Sequence, residues 1–234
     1  MRAAPERVQK VIIRRERADA RVQQIVALAR AQGVPVYRES SRVLDRMAGG
    51  ARHQGILAET SPVPWLDLEE LLEAAPWPAF LLGLDQIEDP RNFGALARAA
   101  DGAGVHGMIC LRRGGAPPSE AALATSSGAL LHLRLARVTN LTEALERVKA
   151  QGIWVVGLAP SAPLAWFEFD YTVPVLLLVG AEGQGLRRRV AGACDALVHL
   201  PQLGRVESLN VSVAAGVVLY EVVRQRLVSR IERE

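Results

Sequence analysis

Apolar positions along the chain follow two rhythms, and the switching between them marks out strands and helices in succession. Short continuous or alternating apolar runs predict strands over 8–14, 34–38, 53–59, 80–85, 108–111, 131–138, 153–158, 173–179 and 196–200. Apolar residues spaced three and four apart predict helices over 19–32, 41–48, 66–74, 92–103, 118–126, 141–151, 186–193 and 209–227. Gly33 and the pair Gly49-Gly50 stop the first two helices. Prolines at 62, 64, 76 and 78 interrupt regular structure, so the pattern divides into a small α/β domain over 1–60, a linker over 61–78 and a larger domain over 79–234. In the larger domain strands and helices alternate, and one strand reads Val-Leu-Leu-Leu-Val. That predicts an α/β fold with a mostly parallel sheet covered by helices on both faces. Ligands of such sheets bind at the carboxyl ends of the strands.

Composition narrows the class. Half of the 234 residues are hydrophobic, enough for a core of one large or two modest domains. No apolar run approaches the ~20 residues of a membrane span. The opening Met-Arg-Ala-Ala-Pro-Glu-Arg lacks the apolar stretch of a secretory signal. Cys110 and Cys194 are too few for a disulfide framework, and His53, His106, His132 and His199 lack metal-ligand spacing. A soluble, cytoplasmic, metal-free protein is expected. The net charge of +3 and the pI near 9.2 hint at an anionic partner. Apart from Lys10 and Lys149 every basic residue other than histidine is arginine. That bias suits phosphate recognition and equally suits a GC-rich genome.

Three segments carry candidate chemistry. The first runs from Leu84 to Gly104: Asp89-Pro90 turns the chain, Asn92 stands at a helix mouth, and Arg98 is the one large polar group among Ala95, Ala97, Ala99 and Ala100. An Asn cap and a surface arginine would account for it just as simply. The second, Val179-Gly-Ala-Glu-Gly-Gln-Gly-Leu, links a strand to a helix through a glycine-rich turn whose one charge is Glu182. Such a turn frees backbone N–H groups for a ligand, but no Gly-Lys-[Ser/Thr] follows, so it is not a P-loop. The third runs from Leu200 into Ser208-Leu209-Asn210, two small polar residues before an apolar helix, which read as a cap or as the mouth of a site. The string Gly102-Ala-Gly104-Val-His-Gly107 imitates a dinucleotide fingerprint. A helix precedes it and a strand follows, the reverse of the required order, so it is a helix stop.

Taken in order, these segments resemble the three motifs of the SpoU (TrmH-type) RNA ribose 2′-O-methyltransferases. Motif one corresponds to Asp89-Pro-Arg-Asn-Phe-Gly with Arg98, motif two to Gly180-Ala-Glu-Gly-Gln-Gly, and motif three to residues 201–216. His53-Gln-Gly-Ile and Ala103-Gly-Val-His resemble the branch that methylates a guanosine ribose in 23S rRNA. The resemblance covers essentially the whole chain. It implies a C-terminal deep trefoil knot, S-adenosyl-L-methionine as cofactor, a homodimer and an RNA-binding N-terminal domain. Gly180, Leu200 and Leu209 correspond to the cofactor-binding residues, and Asn92, Arg98, Glu182, Ser208 and Asn210 to the catalytic set. The strand and helix that the family places before the region matching Pro5 are not in this sequence, so either a truncated small domain or a true start upstream is expected.

The implied reaction moves a methyl group to a ribose 2′-oxygen, with Arg98 as the family's base. Neutralising a free guanidinium at pH 7 costs roughly 7 kcal/mol, so Arg98 is expected to polarise the 2′-oxygen and clamp the adjacent phosphate, whether or not it also takes the proton. Two other classes fit the sequence less well. A nicotinamide-dependent oxidoreductase lacks a correctly placed fingerprint, and a non-catalytic RNA-binding protein would leave Asn92, Glu182 and Asn210 without a purpose. A tRNA ribose 2′-O-methyltransferase on the same scaffold is the alternative within the enzyme reading.

Overall fold

The computed structural model describes residues 5–50, 53–206 and 208–232. Position 207 of the third motif and the chain ends lie outside the described residues. Two compact units divide at Val63/Pro64.

In the first unit, β1 (Val8–Arg14) lies between β2 (Val36–Glu39), which is parallel to it, and β3 (Ile56–Thr60), which is antiparallel. Two helices, α1 (Ala20–Ala31) and α2 (Ser41–Met47), complete it. Asp19 caps α1, its Oδ1 accepting from the Val22 N–H at 3.1 Å. The second strand starts later than the apolar pattern predicts because Val34 closes the helix. Its N–H donates to the Ala29 carbonyl at 2.8 Å while its side chain joins the core of Val8, Val11, Ile13, Val22 and Ala29.

The second unit begins well before residue 79. Most of the stretch 61–78, expected as a linker, belongs to this unit, with α3 (Leu68–Ala74) burying Leu68 and Leu71 in its core. From there the chain alternates through β4 (Phe80–Asp85), α4 (Pro90–Gly102), β5 (Gly107–Leu111), α5 (Glu120–Thr125), β6 (Leu135–Val138) and α6 (Leu141–Ala150). It continues through β7 (Trp154–Leu158), β8 (Leu164–Ala165), β9 (Val175–Gly180), α7 (Arg188–Ala191), β10 (Ala196–His199) and α8 (Val211–Ile231). All seven strands are parallel, in the order β6-β5-β4-β9-β7-β10-β8. The two-residue β8 leaves no periodic signal and was not expected.

Both central strands, β4 and β9, are buried along their whole length, as a sheet covered on two faces requires. Side chains alternate between faces. Leu81, Leu176 and Leu178 pack with Leu68, Leu71, Leu145, Val148 and Val190 from α3, α6 and α7. The opposite face is covered by α8, which packs on β9 and on α4. The register pairs Asp85 of β4 with Gly180 of β9. The loops carrying the first two motifs therefore leave the sheet side by side, at the carboxyl ends of adjacent strands.

Candidate functional site

Local chemistry builds each wall of the site. Beyond β4, Asp89 caps α4 by accepting from the Arg91 N–H at 2.9 Å, and Pro90 occupies the first turn, where its missing N–H costs nothing. That places Asn92 in the opening turn. Beyond β9, the turn 181–185 closes on itself through Gly185 N–H to the Ala181 carbonyl at 2.8 Å. Gly183 and Gly185 take φ of +77° and +67°, values that a side chain strains. A Cβ on Gly180 would overlap the Gly185 backbone, so the turn folds back over the strand end only because glycine stands there. At the third wall Asn210 caps α8, its Oδ1 accepting from the Ser212 N–H at 2.9 Å and from the Ser212 hydroxyl at 2.6 Å.

These walls meet. The Asn92 amide donates to Glu182 Oε2 at 2.8 Å. Asn210, its carbonyl oxygen spent on the cap, turns its Nδ2 to Asn92 Oδ1 at 2.9 Å and to Glu182 Oε1 at 3.5 Å. One carboxylate is thus held by two amides drawn from positions 90 and 28 residues away. Beside them lies a cavity of about 170 Å³. Gly180, Leu200, Leu209, Glu182 and Ser208 all line it, joined by Leu158, Val179, Val211 and Ala214. Apolar walls with exposed glycine backbone suit a flat apolar group hydrogen-bonded along its edge.

Seven of the eight expected site residues therefore converge. Arg98 does not join them: it is exposed on α4, beyond the hydrogen bonds of the Asn92–Glu182–Asn210 network. On the same helix Phe93, Leu96, Ala97 and Ala100 are buried, so the small-residue face packs as expected.

A pair missed by sequence reasoning sits directly behind the site. Asp85, fully buried, accepts from the Arg187 backbone N–H at 2.9 Å and from its Nε at 2.8 Å, and the second guanidinium nitrogen lies at 2.6 Å. The one signal was a carboxylate ending an otherwise apolar strand, without hint of its partner. Both cysteines are inert, since burial pushes each thiol up to about 12. Among the described residues no group of His, Cys, Asp and Glu could hold a metal ion.

The SpoU rRNA methylase family pattern matches residues 79–220, and the RNA 2′-O ribose methyltransferase substrate-binding pattern matches residues 1–66. The chain belongs to the SpoU rRNA methylase family. It is 42% identical to the 23S rRNA (guanosine-2′-O-)-methyltransferase RlmB of Pseudomonas putida, covering 97% of this chain and 92% of that protein. The Escherichia coli RlmB is 40% identical over 95% of this chain and 93% of its own. The crystal structure of the SpoU methyltransferase AviRb from Streptomyces viridochromogenes, in complex with AdoMet, superposes with a TM-score of 0.76. It is 26% identical and covers 94% of this chain and 84% of that one. The three sequence motifs of this SpoU chain are thus the three walls of one site.

Proposed function

We propose that this protein transfers a methyl group from S-adenosyl-L-methionine to the ribose 2′-hydroxyl of a guanosine in 23S rRNA, in the cytoplasm. The observation that carries the reading is the Asn92–Glu182–Asn210 network, drawn from three separate motifs and set against a glycine-walled apolar cavity. The similarity to RlmB over nearly the whole chain supplies the substrate class.

Gly180, Leu200 and Leu209 would hold the cofactor, which supplies an activated methyl group when bound. The chain's own part is to orient and polarise. Asn92 and Asn210 fix the Glu182 carboxylate at the cavity wall, so that it meets the ribose side as an aligned acceptor without reorganising. Ser208 offers a hydroxyl at the same wall. Arg98 stands exposed on the helix that carries Asn92, free to clamp a phosphate and polarise the 2′-oxygen. The first unit, with its substrate-binding pattern, would hold RNA.

We also propose a homodimer and a trefoil knot. One face of α8 buries Val211, Ala215, Val218 and Leu219, while Val213, Val217, Tyr220, Leu227 and Ile231 form an exposed apolar stripe along the other. A stripe at that spacing suits a second copy. Insertion of β9 between β4 and β7, with α8 returning onto β9, is a threading that a knotted C-terminal segment would produce.

The test is tritium transfer from S-adenosylmethionine to a 23S rRNA transcript, with the product mapped at nucleotide resolution. A 2′-O-methylated guanosine is expected, and Glu182→Ala is expected to slow transfer about a hundredfold or more. Failure to bind the cofactor in calorimetry would leave only an RNA-binding module.

A further inference from the structure

Glu182 forms part of two cavities, and only one of them is apolar. On the far side of the 181–184 turn a polar cavity of about 390 Å³ opens between that turn and the loop 86–92. Ala181, Glu182 and Gln184 line both cavities, so one turn of chain is the partition between them. Methyl transfer needs the acceptor oxygen next to the donor. With the donor in the apolar cavity, the adjoining space is where an acceptor nucleoside fits.

The lining restricts what can enter. Its polar side chains are Gln86, Glu88, Asp89, Asn92, Glu182 and Gln184, three carboxylates and three amides with no cation. In a chain with 28 lysines and arginines this is the opposite of a phosphate cradle. Carboxylates repel phosphate and attract N–H donors. Two of the three are already engaged, Glu182 by Asn92 and Asn210, and Asp89 by the Arg91 N–H. Glu88 is exposed and has no hydrogen bond or ion pair among the described residues. Its Oε1 lies beside Gly114, 3.6 Å from where a Cβ there would stand, with the Gln86 side chain at 3.9 Å from the same point.

We propose that this cavity receives the target nucleoside and that the Glu88 carboxylate selects guanine, accepting from N1–H and the N2 amino group. Guanine alone among the four bases presents two adjacent donors on its Watson–Crick edge. Adenine and cytosine set one amino group beside an acceptor nitrogen, and uracil sets one N–H between two carbonyls. A carboxylate only accepts, so it makes a bidentate pair with guanine alone. The inference rests on the 2′-O-methyltransferase reading and adds base selection to it.

The test uses the full-length protein and two 23S rRNA transcripts, one native and one with adenosine at the position that the wild-type protein methylates. Glu88→Gln offers one acceptor and one donor, the complement of adenine's edge. The variant is expected to bind S-adenosylmethionine within about twofold of wild type in calorimetry and to unfold at the same temperature. Its preference for guanosine over adenosine in kcat/KM is expected to fall at least about tenfold, as loss of one bidentate pair implies. Glu88→Ala should lose guanosine turnover without gaining adenosine. An unchanged preference in Glu88→Gln, or an equal fall on both transcripts, overturns the assignment of Glu88 while leaving the methyltransferase reading intact. No methyl transfer by the wild-type protein, or 2′-O-methylation of a nucleoside other than guanosine, overturns both.

Discussion

Asn210 performs two tasks with one amide, and the two can be separated. Its oxygen caps α8 and its nitrogen serves Asn92 and Glu182. Aspartate caps a helix as well as asparagine does, but it has no N–H to donate and sets a second negative charge beside Glu182. Asn210→Asp should therefore keep most of the stability in urea unfolding, while methyl transfer to rRNA falls at least about tenfold. Asn210→Ala should lose about 1 kcal/mol with the cap and lose the activity too. Equal stability losses in the two variants would contradict the division of labour. The cap itself was legible in the sequence, because capping depends on neighbours within a turn. The partners of the nitrogen were not, since Asn92 lies 118 residues away and no local rule connects them.

Between elements, the Asp85–Arg187 pair ties the end of β4 to the exit of the glycine-rich turn, at the N-cap of α7. The apolar rhythm predicts a helix over 186–193; the helix runs over Arg188–Ala191, with Arg187 at its N-cap, its N–H donating to Asp85, and Gly192 at its C-cap. The two partners are unequally placed, with side-chain exposure of 45% for Arg187 and none for Asp85. Removing the arginine side chain leaves a buried carboxylate with only the backbone N–H of residue 187, a loss of about 3 kcal/mol. Removing the aspartate leaves a guanidinium that water can reach. Arg187→Ala should therefore destabilise more than Asp85→Ala, and the double variant less than their sum, as measured by chemical unfolding of all three. Cofactor affinity should weaken in each, because the same turn lines the cavity. Additive losses would show that the pair is not coupled.

For the whole molecule, the outer face of α8 is where the proposed second copy would pack. Sequence left that helix as either a core helix or an interface, and the structure gives it one face of each kind. Val217→Glu lies on the exposed stripe, so it should leave the thermal unfolding of the isolated chain intact. In sedimentation it should shift a dimer to a monomer, and a variant still dimeric would place the interface elsewhere. The wider comparison follows the same division. Period and capping residues are properties of neighbours, so the sequence alone determined that this is an alternating α/β chain with a small N-terminal unit, and where most elements begin. Motif order, through the family resemblance, pointed to the family and to the seven residues that converge, and also to Arg98, which does not join them. Strand order, the pairing of Asp85 with Gly180, the latch to Arg187 and the meeting of Asn92, Glu182 and Asn210 were decided by the tertiary structure alone. These depend on which strand inserts beside which, a competition among contacts far apart in the chain that no local periodicity encodes.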